Sequence, residues 1–190
     1  MSISADGNQK ARRFKNAGTA SSSLLPTTNS YMGEVADKVI MAHATGELTS
    51  KAEEARNRVR EREGSCSIQL SCNRENSSAR GELDCYGQVI AACAHVFAGM
   101  GLALPMPVPE NHFFYTELFR EALTLRPDIK SIYLDLSCRF APAFETLMVD
   151  LVARSGWDPS MKVDLMLPWM HAFDHDIACQ LKHSGLYRVS

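Results

Sequence analysis

Excess charge of either sign is missing from these 190 residues: 20 Lys and Arg stand against 22 Asp and Glu, for a net charge of −2. A chain that grips nucleic acid by bulk positive charge is thereby excluded, although a local basic patch is not. A long hydrophobic run is also missing. The longest apolar stretch, residues 89–109, is broken by His95 and three prolines, so it cannot span a membrane and no membrane partner is expected. The opening MSISADGNQKARR has no apolar segment behind a basic start, so no secretory signal is expected. The six cysteines, at 66, 72, 85, 93, 138 and 179, do not make a short disulfide scaffold at this length, and no C-x-x-C pair occurs among them. A reducing compartment is expected, in which a cysteine with a role is a metal ligand or a core residue. No internal repeat with a period of about 20 to 50 residues is visible.

The remaining sequence divides by composition. Residues 1–16 read as a first short strand ending in the turn Asp6-Gly7-Asn8, followed by the basic run Lys10, Arg12, Arg13 and Lys15. Residues 17–82 read as a divergent insert. It holds a polar loop, a stretch with some helical periodicity (Tyr31, Val35, Val39, Ile40), a charged helix over residues 51–63 and a short strand at SIQL. Its apolar content is too sparse to offset the entropy of ordering, so it is expected to be largely irregular or to carry isolated helices. Residues 83–190 hold most of the core-forming sequence. YGQVIAACAHVF reads as a buried strand, and GMGLALPMPVPEN as a proline-rich loop. HFFYTELFREALTLRP reads as an amphipathic helix through Phe114, Leu118, Ala122 and Leu125. DIKSIYLDLSC gives a near-continuous apolar run expected of a strand buried on both faces. RFAPAFETLMVDLVARSG reads as a helix stopped at Gly156, VDLMLP as a strand, and MHAFDHDIACQLKHSG as one last helix. Strand–helix alternation of this kind is an α/β pattern.

Two aspartates stand where chemistry often sits. Asp6 enters the Gly-Asn turn, and Asp135 lies near the carboxyl end of the most strongly patterned strand, where ligands of open α/β sheets bind. A carboxylate in an apolar strand is costly to bury unless paired or metal-bound. Two of them can hold a divalent cation, and two cations can assist both oxygens of a phosphoryl transfer. A turn residue and a hydrogen-bonded strand end fit the same pattern. A second set is Cys93 and His95, two apart on a strand, with His171, His175 and Cys179 spaced four and four along one helical stripe. Four ligands drawn from these five would close a tetrahedral zinc site; small core cysteines and buried hydrogen-bonding histidines are the alternative. Cys66 and Cys72, in polar sequence, make a weaker case.

Five pieces occur in order: the DGN turn with basic residues after it, the Gly87–Cys93–His95 run, Glu110 and Tyr115 before a helix, the Asp135-x-x-Cys138 step, and the series His171, His175, Cys179, Gln180. Together they resemble the Kyakuja–Dileera–Zisupton transposases, over residues 4–17 and about 83–187. The resemblance implies an α/β, ribonuclease-H-like mixed sheet with flanking helices, cut short at both ends. It implies Asp6 and Asp135 as the first and second catalytic acids, holding Mg2+ or Mn2+, and it strengthens zinc (Zn2+) at the Cys/His set. It implies DNA, both transposon ends and target, as partner, a homo-oligomer, and a nuclear location, or a cytoplasmic one for a non-functional fragment. Two departures stand out. Gln9 occupies a position that is usually aromatic in the family. The family's third acid, from an Asp-Gly-Glu-like segment, has no counterpart, which leads to the expectation of an inactive internal piece.

Three functions compete at this point. One is a DNA-cutting and DNA-joining domain or its remnant. Another is a non-catalytic, zinc-stabilised nucleic-acid-binding or interaction protein, and the last a plain α/β domain without a nucleic-acid role. Under the first, Asp6 and Asp135 should lie on adjacent strands with carboxylates about 4 to 8 Å apart. At least three of Cys93, His95, His171, His175 and Cys179 should meet within about 5 Å of one point. Lys10, Arg12, Arg13 and Lys15 should face DNA phosphates.

Overall fold

The computed structural model describes residues 1–8, 13–14, 38, 41–42, 44–47, 83–85, 87–93, 103–106, 110 and 112–184. Among the described residues are the elements β1 (Ser2–Asn8), β2 (Arg13–Phe14), β3 (Leu83–Cys85), β4 (Gln88–Cys93), β5 (Ala103–Pro105), α1 (His112–Leu125), β6 (Ser131–Leu134), α2 (Ser137–Ser155), β7 (Asp164–Met166), α3 (Trp169–Ala172) and α4 (Ile177–His183). Five strands form one mixed sheet in the order β5-β4-β1-β6-β7, while β2 and β3 pair separately. β1 runs antiparallel to β4 and parallel to β6; β4 is antiparallel to β5, and β6 parallel to β7.

Alternation builds this sheet. In β1, Ile3 and Ala5 are buried while Ser2 and Ser4 are not, and the register sets Ala5 beside Ala91 on one side and Leu134 on the other. Val89, Leu104, Ile132 and Leu165 fall on the same face and share one core with α1 and α2. The opposite face carries half-buried or exposed residues, with Ser2 and Ser131 joined through their hydroxyls at 3.1 Å. The near-continuous apolar run through β6 predicts burial on both faces. The strand instead buries only Ile132 and Leu134 and leaves Ser131 and Tyr133 half-buried, while Ile129 and Leu136, which extend the apolar run, are buried outside the strand. The proline-rich segment read as a loop contains β5. Pro105 is tolerated there because β5 is an edge strand, where a missing N–H breaks no central ladder.

The helices form where the 3.6-residue period dictates. α1 buries Phe114, Leu118 and Ala122, with Leu125 emerging at its end. α2 buries Phe144, Leu147 and Leu151 and stops at Gly156, whose φ of 64° is left-handed. Arg120 of α1 donates to Asp150 of α2, which also accepts from Arg154 one turn on, at 2.5 Å. At the base of α2, Phe140 packs against Phe119 at 5.6 Å between ring centroids, and against Tyr115 and Phe144. Loss of a fully buried ring such as this costs about 3–5 kcal/mol.

The final segment departs from the single helix expected of it. α3 ends at Ala172 and α4 starts at Ile177 after Asp176, whose ψ of 146° is extended. The intervening residues 173–176 therefore make a turn, with His175 N–H bonded to the Ala172 carbonyl at 3.1 Å. The end of α4 returns to the sheet, where Leu167 N–H donates to the His183 carbonyl at 2.8 Å. Among the described residues, no helix is long and apolar enough to cross a membrane. Residues 51–63 and the SIQL strand lie outside the described residues, as does most of the 17–82 insert.

Candidate functional site

β6 ends at Leu134, and α2 begins at Ser137, so Asp135 occupies a two-residue turn between a central strand and the helix that covers it. The same short turn puts Cys138 on the first turn of α2. Pro142 has no N–H to return to the Cys138 carbonyl, which interrupts the helical ladder at this cysteine. The chain then leaves through α2 and β7 and comes back through α3 and α4, bringing His175 and Cys179 against Cys138.

His175 is 4% exposed. Its Nδ1 lies 3.5 Å from Cys138 Sγ and 3.4 Å from Cys179 Sγ. The three ligand atoms all fall within 4.8 Å of one another. Ligand bonds of about 2.3 Å for sulfur and 2.0 Å for nitrogen, at tetrahedral angles, give a nitrogen–sulfur edge of about 3.5 Å. The two nitrogen–sulfur separations match that edge, so the donors fit a thiophilic ion such as zinc. Gln180 fixes the turn that presents the ring: its Nε2 donates to the His175 carbonyl at 2.7 Å.

Behind the imidazole stands the carboxylate. His175 Nε2 is 3.7 Å from Asp135 Oδ1, and His171 Nδ1 approaches the same oxygen at 3.6 Å. Asp135 Oδ1 is buried, whereas the Asp135 side chain as a whole is 36% exposed. The accessible part of the group is therefore not Oδ1. On the sheet, Ala5 of β1 pairs in parallel with Leu134 of β6. Asp6 follows the first and Asp135 the second, so the two aspartates come next in neighbouring parallel strands. The turn expected at Asp6-Gly7-Asn8 is not one, because β1 runs on through Gly7 and Asn8, which pair with Val89 and Gln88 of β4, whereas Asp135 lies just past the end of β6.

The proposed ligands separate into three groups. His175 and Cys179 meet, as a stripe of three on one helix would require, but by another route: His171 ends in α3, His175 sits in the turn, and Cys179 lies in α4. His171 reaches Asp135 rather than the sulfurs. Cys93 does not join the group. It pairs with Ile3 at the far end of the sheet, and packs partly buried against the core. The physical reason is strand direction: β4 runs antiparallel to β1 and β6, so its last residue lies at the end opposite to Asp135. His95 lies outside the described residues, as do Cys66, Cys72, Lys10, Arg12, Lys15 and the side chains of Asp6 and Arg13. Cys138 takes the place that Cys93 was expected to fill. Its signal in the sequence was its position three residues beyond Asp135, at the start of a helix. Glu110 and Tyr115 also come together, the phenol donating to the carboxylate.

A family model described as Kyakuja-Dileera-Zisupton transposase matches residues 1–190. No curated protein and no solved structure matches the chain.

Proposed function

The chain belongs to the Kyakuja–Dileera–Zisupton transposase family, and from that premise we propose that it carries two acids, Asp6 and Asp135, of a centre that cuts and joins DNA by metal-dependent phosphoryl transfer. The observation that supports this most is the parallel β1–β6 register, in which Ala5 and Leu134 are partners and each precedes an aspartate. A mixed five-stranded sheet with flanking helices is what a ribonuclease-H-like core requires, and it supports that reading of the fold.

Attack by water or a 3′-hydroxyl on a phosphodiester builds charge on the entering and leaving oxygens, and bound Mg2+ or Mn2+ would neutralise it. Asp6 and Asp135 would hold the ion through hard oxygens. Asp135 offers one oxygen to it, since Oδ1 is buried against two histidines. Lys10, Arg12, Arg13 and Lys15 follow Asp6 directly and would hold DNA phosphates, in a protein acting in the nucleus. Mg2+ demands near-octahedral ligation, and two carboxylates leave it mostly to water. The 190 residues by themselves therefore turn over little, and a segment supplying a third acid restores cutting.

The test is a nicking assay with manganese on the 190-residue chain and on a chain lengthened through a downstream Asp-Gly-Glu segment, with Asp135→Ala as control. Cutting by the longer chain alone, abolished by the substitution, is the expected result. Robust cutting by the 190 residues would remove the requirement for a third acid, and cutting untouched by Asp135→Ala would remove the assignment. A second reading, a zinc-stabilised DNA-binding protein without nuclease activity, draws on the Cys138–His175–Cys179 group. It predicts DNA binding with no cutting by either chain.

A further inference from the structure

An imidazole with one proton cannot donate from both nitrogens. His175 nevertheless has electron-rich neighbours on both sides: the sulfurs of Cys138 and Cys179 at Nδ1, and Asp135 Oδ1 at Nε2. A thiol S–H donating to Nδ1 and an ion held between the two sulfurs and Nδ1 both satisfy this ring, and the nitrogen–sulfur separations, close to a tetrahedral edge, favour the ion. The ion takes the Nδ1 lone pair and leaves the only N–H on Nε2, aimed at the carboxylate. The 3.7 Å separation is about 0.7–0.8 Å longer than a typical N–H···O bond, so the two groups must close on one another when the ion binds.

We propose that His175 is a positioning residue that couples a thiophilic metal at Cys138, His175 and Cys179 to the orientation of Asp135. The inference rests on the reading of Asp135 as a metal-holding acid. The ring sits between them: Nδ1 belongs to the metal, and Nε2–H holds Oδ1. With Oδ1 held, the other oxygen is the one left for a divalent cation beside Asp6. Carboxylates that accept from a metal-bound histidine fix its tautomer and strengthen it as a ligand. The coupling is therefore reciprocal, because whatever strengthens one contact strengthens the other. His171 meets the same oxygen from a half-exposed position, and so reinforces the same orientation without reaching the sulfurs.

The experiment measures zinc affinity of the whole 190-residue chain by chelator competition, for the parent and for Asp135→Asn, Asp6→Asn, Cys138→Ser and Cys179→Ser. Nitrogen-15 spectra of the zinc-loaded parent report the His175 tautomer. Removing such a carboxylate partner costs about 10- to 100-fold in metal affinity. The expected pattern is that loss for Asp135→Asn, no change for Asp6→Asn, and loss of tight binding for both serine variants. The ring should show metal on Nδ1 and hydrogen on Nε2. Zinc affinity unchanged in Asp135→Asn, with the serine variants impaired, would leave the metal site standing and overturn the coupling. Failure of the parent to bind zinc would overturn both. Failure of the nicking test with the zinc pattern intact would remove the role of Asp135 in DNA cutting and keep its role toward His175. Should Asp135→Asn not fold, judged by circular dichroism, the tautomer decides: hydrogen on Nδ1 overturns the proposal.

Discussion

Ala5 lies beside Leu134 across a parallel strand pair, both side chains buried, and each is the last residue before an aspartate. The alignment of the two acids therefore depends on an apolar contact one position away. Leu134→Ala removes a side chain that is 1% exposed. It is expected to destabilise the chain by about 2–5 kcal/mol in urea unfolding, the range for such truncations in a packed core. A loss below about 0.5 kcal/mol would mean that this junction is not close-packed.

Zinc should stabilise the folded chain by mass action. At a concentration about 100 times its dissociation constant, it adds about 2.7 kcal/mol, or roughly 5–10 °C in melting temperature for a chain of this size. Chelation should reverse the gain. Cys138→Ser should abolish it, while Cys93→Ser, at the other end of the sheet, should leave it intact.

How much of this site was legible before the fold was known depends on distance along the chain. His175 and Cys179 are four apart, and a local pattern finds them. Cys138 is 37 residues from His175, and only the return of the chain through β7 and the two short helices brings them together. Pattern also chose Cys93, because a period of two says which face a residue takes and nothing about which end of the sheet it reaches. The helix faces of α1 and α2 and the stop at Gly156 followed directly from spacing. β5 did not, since prolines at an edge strand read as a loop. The break at residues 173–176 was hidden for a similar reason: apolar residues on either side, Trp169, Phe173, Ile177 and Leu181, keep helical spacing straight across it.

Acid should weaken the fold through His112. Burial first, and the charge of Arg139 second, hold this imidazole below its usual value of 6.5. In the unfolded chain it titrates near that usual value, so between the two values the unfolded state binds a proton that the folded state does not. The contribution is fully present above pH 6.5 and is lost as the pH falls toward the folded value. Urea midpoints should drop as the pH falls below about 6.5, and His112→Gln should flatten that part of the profile. An unchanged slope in the variant would show that other groups govern it.

Gly156→Ala should cost about 1–2 kcal/mol, the price of a side chain in the left-handed region. Nothing lies within 4 Å of the added carbon, so the penalty is purely conformational. Asparagine at the same position should recover part of it.

DNA binding, if it runs through the first basic run, should be steeply salt-dependent. Each phosphate contact contributes about 0.9 to the slope of log K against log salt for duplex DNA. Replacing Lys10, Arg12, Arg13 and Lys15 with glutamine should reduce that slope by up to about 3–4 in a fluorescence anisotropy titration. A slope that does not move places the phosphate contacts elsewhere on the chain.

The strand at the middle of the sheet is also made before every other strand of that sheet. β1 takes hydrogen bonds from β4 on one side and from β6 on the other, and Ser2 meets Ser131 across 129 residues of sequence. At about 5–20 residues per second, β1 waits roughly 6–25 s for its parallel neighbour to be made. Both of its edges are open to other chains in the same polysome until β4 is made, and the edge that β6 will take stays open until the end of that interval. Closure of so long a loop makes the sheet slow to nucleate, and the two aspartates become neighbours only at that late step.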